Sequence, residues 1–265
     1  MQLTPQQSAF YDTFGFLAFS GLFAAQVDVI SAAFERMWID SGRTHDHTER
    51  SYIEPFADRS EYLAKLIDDP RISGVVSSLL GSDYNYTSSN GNYYVGDTAW
   101  HSDQALDAPY HSVKIAVYLD PVGEQTGCIR VIPGSCHSGD AFSNGLHEVV
   151  PLTRHNHSEE VWAVHGSHLP AHPIVSTPGD MILFNHKTKH SSWGGGTQRR
   201  MFTYNFEQHF CGAQLPHLIK ALTASVAPRG VVYGDAMLRT AGPQRMRHLE
   251  QRLQVAREQG LISER

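Results

Sequence analysis

Cysteine is scarce in this chain: three residues in 265 (Cys128, Cys136 and Cys211), with no CxxC pair among them. An odd number without paired spacing excludes a disulfide framework and a thiolate zinc site. Charge is scarce too. Charged residues make up 18%, and the formal net charge is −6 with 16 histidines counted as neutral, which excludes a strongly basic nucleic-acid binder. Long apolar runs are missing; Ile115 to Leu119 and Met181 to Phe184 are among the longest, too short for a bilayer-crossing helix. The first ten residues hold neither a basic nor an apolar segment, so no secretory leader is expected and a cytoplasmic location is. There is no GxSxG or HExxH string, and Gly194-Gly195-Gly196 is not followed by the Gly-Lys-Ser/Thr of a phosphate loop. The adjacent carboxylates Asp68-Asp69 and Glu159-Glu160 read as solvated surface.

What is present suffices for a full core: 41% hydrophobic and 10% aromatic residues. The first third reads as helical. Val27, Ile30, Phe34, Met37 and Trp38 recur at helical spacing across 24–39, and a second helix is predicted over 60–67. Asp69-Pro70 reads as a cap and first-turn proline for a third, which Gly81 ends. From residue 82 the pattern turns to short strands: 84–87 and 91–95, broken by Ser88-Ser89-Asn90, then 113–119, 128–132, 174–176, 181–185 and 201–206. Gly/Pro turns separate several of these strands, which suggests a jelly roll or barrel-like sandwich rather than a βαβ fold. Residues 138–173 read as a long, histidine-rich insertion without a period. The tail returns to helix after Gly242-Pro243. The expected organisation is one domain: helices over 1–81, a β core over 82–210 containing that insertion, and a helical tail over 211–265.

The most informative string is Trp100-His101-Ser102-Asp103. Residues i and i+2 of a strand point the same way, so His101 and Asp103 can face one ion. Joined by a distant histidine, they supply the facial two-histidine, one-carboxylate set that binds Fe(II). A chain with 16 histidines produces about one His-x-Asp by chance, so context decides. The context is GDMILFNHKTKHSSWGGGTQRRMFTYNF, residues 179–206: an apolar strand leads to His190, a glycine turn follows, and Arg199-Arg200 open the next strand. A guanidinium is planar and always charged, which suits the far carboxylate of a 2-oxo acid. His186 competes with His190 as the distal ligand, since HxxxH suits a helix; the strand character of 181–185 favours His190.

Taken in order, WHSD, then PYHSVKIAVYLDPVGEQTGCIRVIPGSCHSG (109–139), then FNHKTKHSSWGGGTQRR, resemble the phytanoyl-CoA dioxygenase-like family over 93–206. The resemblance implies a mainly β fold with flanking α-helices around a double-stranded β-helix, the cupin-like jelly roll. It also implies a 2-oxoglutarate-dependent non-haem iron dioxygenase that uses Fe(II), 2-oxoglutarate and O2, hydroxylates an unactivated C–H bond, and releases succinate and CO2. By position, His101, Asp103 and His190 match the metal ligands. Arg199 and Arg200 both follow His190 more closely than the arginine of many relatives follows its histidine; Arg199, sharing a face with Met201 and Thr203, is preferred for 2-oxoglutarate and Arg200 is the alternative.

Lys114, Ala116 and Tyr118 share one strand face, and relatives commonly carry a bulky aromatic where Ala116 stands. This leaves Lys114 or Tyr118 to border the cosubstrate. Asn92, Asn90 and Trp193 are further candidates for the site, against turn and packing roles. His155, His157, His165, His168 and His172 could hold a second metal, against a solvated loop. The retained Asp103 favours hydroxylation over halogenation. The expected partner is a small-molecule substrate, with neither nucleic acid nor membrane; no basic cluster suits a CoA phosphate. Two other readings stay open: a cupin-like metal enzyme that does not use 2-oxoglutarate, and a catalytically silent binding protein on the same scaffold.

Overall fold

Thr4 starts the first helix by a reciprocal cap: its hydroxyl accepts from the Gln7 N–H while the Gln7 side chain accepts from the Thr4 N–H. The computed structural model describes residues 1–150 and 158–263, so His155 and His157 lie outside the described residues. In chain order the elements are α1 (Pro5–Phe14), β1 (Phe16–Phe19), α2 (Val27–Asp40), β2 (Ser51–Ile53), α3 (Glu61–Leu66) and α4 (Pro70–Leu80). Next come β3 (Asn85–Tyr94), β4 (Thr98–His101), β5 (Ser112–Tyr118), β6 (Ile129–Val131), α5 (Ala141–Val149) and α6 (Ser158–Trp162). The chain continues with β7 (His172–Ile174), β8 (Met181–Asn185), β9 (His190–Ser192), β10 (Arg199–Glu207), α7 (Leu215–Val226), α8 (Asp235–Arg239) and α9 (Pro243–Glu258).

The strands form two antiparallel sheets, a six-stranded one in the order β1-β8-β5-β10-β3-β2 and a four-stranded one in the order β4-β9-β6-β7. This is the jelly-roll core. Strand alternation divides the apolar residues between two sides of the large sheet. Phe202, Tyr204 and Phe206 of β10 join the main core with Ile30 and Phe34 of α2, Leu63 of α3, Val75 of α4 and Leu249 of α9. Met201 of the same strand instead joins Ala116, Tyr118, Ile129, Ile182 and Phe184 in a smaller cluster inside the barrel. Among the described residues no helix is long and apolar enough to cross a membrane.

The predicted helices stand with shifted ends, Ser60 and Asp69 serving as side-chain N-caps for α3 and α4. Three expectations need correction. Ser88-Ser89-Asn90 does not break the strand; β3 runs through it, because Ser89 Oγ accepts from the N–H groups of Phe56 and Ala57 and the Asn90 amide donates to Glu54. The first third is not all helical, since β1 and β2 pair with β8 and β3. The 138–173 segment is not a structureless loop. Asp140 caps α5, whose Leu146, followed by Val150, packs on Trp100, Ile132 and Trp193, so the helix covers the outside of the small sheet.

Candidate active site

The small sheet places the metal-binding candidates. In the β4–β9 pair His101 stands directly opposite His190, with ring centroids 4.1 Å apart. Asp103 follows β4 and is anchored by its backbone: the N–H groups of Asp103 and Gln104 both donate to the His186 carbonyl, at 2.8 and 3.1 Å. One nitrogen or oxygen from each of His101, Asp103 and His190 lies within 4.8 Å of the others, and His190 Nε2 is 3.5 Å from Asp103 Oδ2. Each imidazole is oriented by the backbone two residues before it. His101 Nδ1 pairs with the Ala99 carbonyl at 2.8 Å and His190 Nδ1 with the Thr188 carbonyl at 2.9 Å. A carbonyl only accepts, so Nδ1 carries the proton and the lone pair of each neutral ring sits on Nε2, the tautomer that ligates a metal.

Charge is concentrated at this point. Lys114 Nζ donates to Asp103 Oδ2 at 2.7 Å. Burial raises the Asp103 pKa, but the charges of Lys114 and of His190, His186 and His101 outweigh it and hold the carboxyl well below its usual range. Lys189 is fully buried and donates to the Val150 carbonyl behind α5 and to Ser102 Oγ, tying the His-Ser-Asp turn to β9. Burial pulls its pKa down to about 8. His186, the rival distal ligand, contributes its carbonyl to the site rather than a ring nitrogen to the triad; burial and then Lys114 pull its pKa down to about 4.

Beyond the triad the cavity is walled by Tyr94, Thr98, Lys114, Ala116, Tyr118, Phe184 and Arg199, among others. Arg199 is 5% exposed, yet among the described residues its guanidinium donates only to neutral acceptors, the Gly127 carbonyl at 2.8 Å and Ser192 Oγ at 3.0 Å. Its Nε has no partner among the described residues. Two glycines make room for it: a Cβ at Gly127 (φ +88°) or Gly195 would sit 1.7 or 2.5 Å from Arg199 Nη1. A buried guanidinium held by neutral groups, with one unmatched donor, suits a carboxylate ligand. Two imidazole nitrogens and a carboxylate on one side of the cavity suit Fe(II). The donor set therefore fits both groups.

The other sequence candidates divide. Tyr118 and Lys114 line the cavity. Arg200 points to the opposite side of β10, where it grips Asp120 through Nε and Nη2 and reaches Glu35 of α2 at 2.7 Å. Asn92, opposite Met201 in the β3–β10 pair, is not among the residues that wall the cavity, and its Oδ1 takes two hydrogen bonds from Arg50. Trp193 packs with Trp100 beneath α5 and donates to Ser191 Oγ. Among the described residues no second three-ligand cluster exists; His165 lies against Trp193, and His172 against Phe16. The sequence reading missed Ser192, Gly127, Gly195 and Lys189. A glycine in a turn-rich stretch gives no hint that a guanidinium passes it, and lysine is so rarely buried that Lys189 reads as surface.

A family model described as phytanoyl-CoA dioxygenase (PhyH) matches residues 11–201. L-Proline trans-4-hydroxylase of Streptomyces griseoviridis is 33% identical over 93 residues, a match that spans 31% of this chain and 34% of that enzyme. Among solved structures, HygX of Streptomyces hygroscopicus with nickel and 2-oxoglutarate aligns at a TM-score of 0.61 and 16% identity, over 79% of this chain and 89% of that one. The 2-oxoglutarate-dependent carbocyclase SnoK from nogalamycin biosynthesis aligns at 0.58 and 20%, over 82% and 90%. EctD from S. alaskensis with 2-oxoglutarate and 5-hydroxyectoine aligns at 0.58 and 22%, over 78% and 76%. At such identities the structural likeness establishes the fold, whereas the model match covers most of the sequence. The chain belongs to the phytanoyl-CoA dioxygenase family.

Proposed function

We propose that the protein is an Fe(II)- and 2-oxoglutarate-dependent dioxygenase that hydroxylates an unactivated C–H bond of a small-molecule substrate, with release of succinate and CO2. The observation that carries this reading is the meeting of His101, Asp103 and His190 at the edge of a cavity whose wall holds both histidines and the buried Arg199. The similarity to a proline hydroxylase and to structures solved with 2-oxoglutarate supports it.

His101, Asp103 and His190 would hold the iron, and Arg199 would bind the far carboxylate of 2-oxoglutarate. Bound iron supplies activation of dioxygen coupled to decarboxylation of the 2-oxo acid. The protein's part is positional. The Ala99 and Thr188 carbonyls fix the imidazole tautomers, the His186 carbonyl fixes the Asp103 backbone, and Ser192 with Gly127 aims Arg199. Tyr118, Ile129, Phe184 and Met201 give the cavity apolar walls that limit water. Asp103, held ionised above all by the neighbouring Lys114 charge, presents a charged oxygen rather than a neutral acid.

The test is to load the protein anaerobically with Fe(II) and 2-oxoglutarate, admit oxygen, and screen metabolites, L-proline among them, for substrate-stimulated succinate and a product heavier by one oxygen. Iron-dependent succinate release that in Arg199→Met requires about 10- to 100-fold more 2-oxoglutarate is the expected result. Turnover that ignores 2-oxoglutarate and survives Arg199→Met would overturn the reading.

A further inference from the structure

We propose that Lys114 receives a carboxylate of the substrate, so that the enzyme acts on small molecules carrying a free carboxylate. This rests on the assignment of iron and 2-oxoglutarate to the cavity.

The first support is a competition for one oxygen. Lys114 Nζ lies 2.7 Å from Asp103 Oδ2, the same oxygen that lies 3.5 Å from His190 Nε2. It therefore contacts the triad at the carboxylate oxygen that faces His190. A divalent ion held by the three side chains draws on that oxygen, and an ammonium in contact with it would be repelled. Lys114, with its side chain 16% exposed and that carboxylate as its hydrogen-bond partner, is then left facing the cavity as an ammonium whose anion has been drawn away, a place for another.

Charge within the cavity gives the second support. The charged side chains that line it, among the described residues, are Lys114 and Arg199, and the triad beside it adds Asp103. Histidine ligates as the neutral ring. A divalent ion and a cosubstrate dianion cancel each other, and Asp103 offsets one cation. One positive charge is left over. A single carboxylate on the substrate matches it.

Position decides which ligand supplies that carboxylate. Along β10, Met201 pairs with Tyr118 and Asn205 with Lys114. Arg199 lies six residues before Asn205, so Arg199 and the partner position of Lys114 are separated by about 20 Å of strand. The cation for the cosubstrate stands at one end and Lys114 beside the triad toward the other. A 2-oxo acid bound to the ion at its keto-acid end and to Arg199 at its far end has its far carboxylate matched by Arg199 and its keto-acid carboxylate drawn to the ion, so a carboxylate that answers Lys114 in its own right comes with the substrate. Ala116, the next residue on the same face, is small and leaves space beside the ammonium.

The experiment uses the full chain loaded with Ni(II), which supports binding without turnover, and 2-oxoglutarate. Free L-amino acids and short monocarboxylic acids are titrated, each beside its primary amide, L-proline and L-prolinamide among them. Thermal shift and calorimetry read the binding of wild type, Lys114→Met and Lys114→Arg. Acids, and not amides, are expected to stabilise the wild type. Lys114→Met should weaken that binding by at least about tenfold, with Lys114→Arg between, while Ni(II) and 2-oxoglutarate still bind. Equal binding of acid and amide, an acid response unchanged in Lys114→Met, or no acid response in the wild type overturns the proposal. Loss of 2-oxoglutarate binding in Lys114→Met also overturns it, by placing the lysine on the cosubstrate. Failure of the wild type to bind Ni(II) and 2-oxoglutarate before any acid is added overturns the iron and 2-oxoglutarate assignment itself, and so is told apart from the rest.

Discussion

The two sides of β10 are built from one strand under opposite rules. On the helix side, Arg200, Phe202, Tyr204 and Phe206 meet complete partners: Arg200 is matched by Asp120 and Glu35, and the aromatics lie in the main core. On the cavity side, Arg199, Met201 and Thr203 border a space, and Arg199 is buried among neutral acceptors with one donor unmatched. Neighbouring arginines of the same type thus differ in what balances them. Both arginines are at least partly buried; among the described residues Arg200 has its carboxylates and Arg199 has none, and that difference marks where a carboxylate ligand would complete the pair.

The contrast can be broken most severely at the triad. Asp103→Ala should abolish substrate-dependent succinate release and weaken metal binding beyond the roughly 10- to 100-fold that losing an outer partner costs, with far-UV circular dichroism unchanged. On the helix side, Phe202→Ala should cost about 3–5 kcal/mol of folding stability in denaturant titration, with metal and 2-oxoglutarate affinities kept in the protein that remains folded. Arg199→Met should raise the KM for 2-oxoglutarate by about 10- to 100-fold, the range for a charge-assisted hydrogen bond. Arg200→Met should leave that KM unchanged and lower the melting temperature, because it strands Asp120 and Glu35. An equal effect of both arginine changes on KM would erase the distinction between the faces. Gly127→Ala should reproduce a milder form of the Arg199 defect, since its Cβ collides with the guanidinium at a left-handed backbone position.

The smallest effect is expected outside the barrel, at α5. Burial pulls His147 down to about 4, and its Nε2 donates to the Ser135 carbonyl. The unfolded chain titrates near the ordinary value of about 6.5, so between pH 6.5 and 4 it takes up a proton that the folded state refuses. Stability should therefore fall as pH drops through that window. His147→Gln should flatten that part of the profile in chemical denaturation at stepped pH.

Much of this was legible because it is local. His101 and Asp103 are two residues apart, and a glycine turn with paired arginines follows His190 in sequence. Helical periodicity and the Asp69-Pro70 cap located α2 and α4 for the same reason. The parts that were illegible depend on residues far away in the chain. Ser88-Ser89-Asn90 looks like a turn until Phe56, Ala57 and Glu54 take up its polar groups. Arg199 and Arg200 are indistinguishable until strand register decides which one meets Asp120. Asn92 looks like a site residue until Arg50 claims it. Lys189 has no periodic signal at all, since only the three-dimensional packing of Ser102 and Val150 around it makes a buried ammonium tolerable.

One arrangement has a wider consequence. Each ligand histidine takes its bearing from the carbonyl two positions back on its own segment, Ala99 for His101 and Thr188 for His190. The partner that fixes the tautomer of each ring is thus main chain and not a side chain. The gripping geometry travels with two short pieces of backbone, and the surrounding walls are at liberty to change shape and polarity around it. A scaffold wired in this way can be offered new molecules to oxidise without its grip on the ion being renegotiated each time.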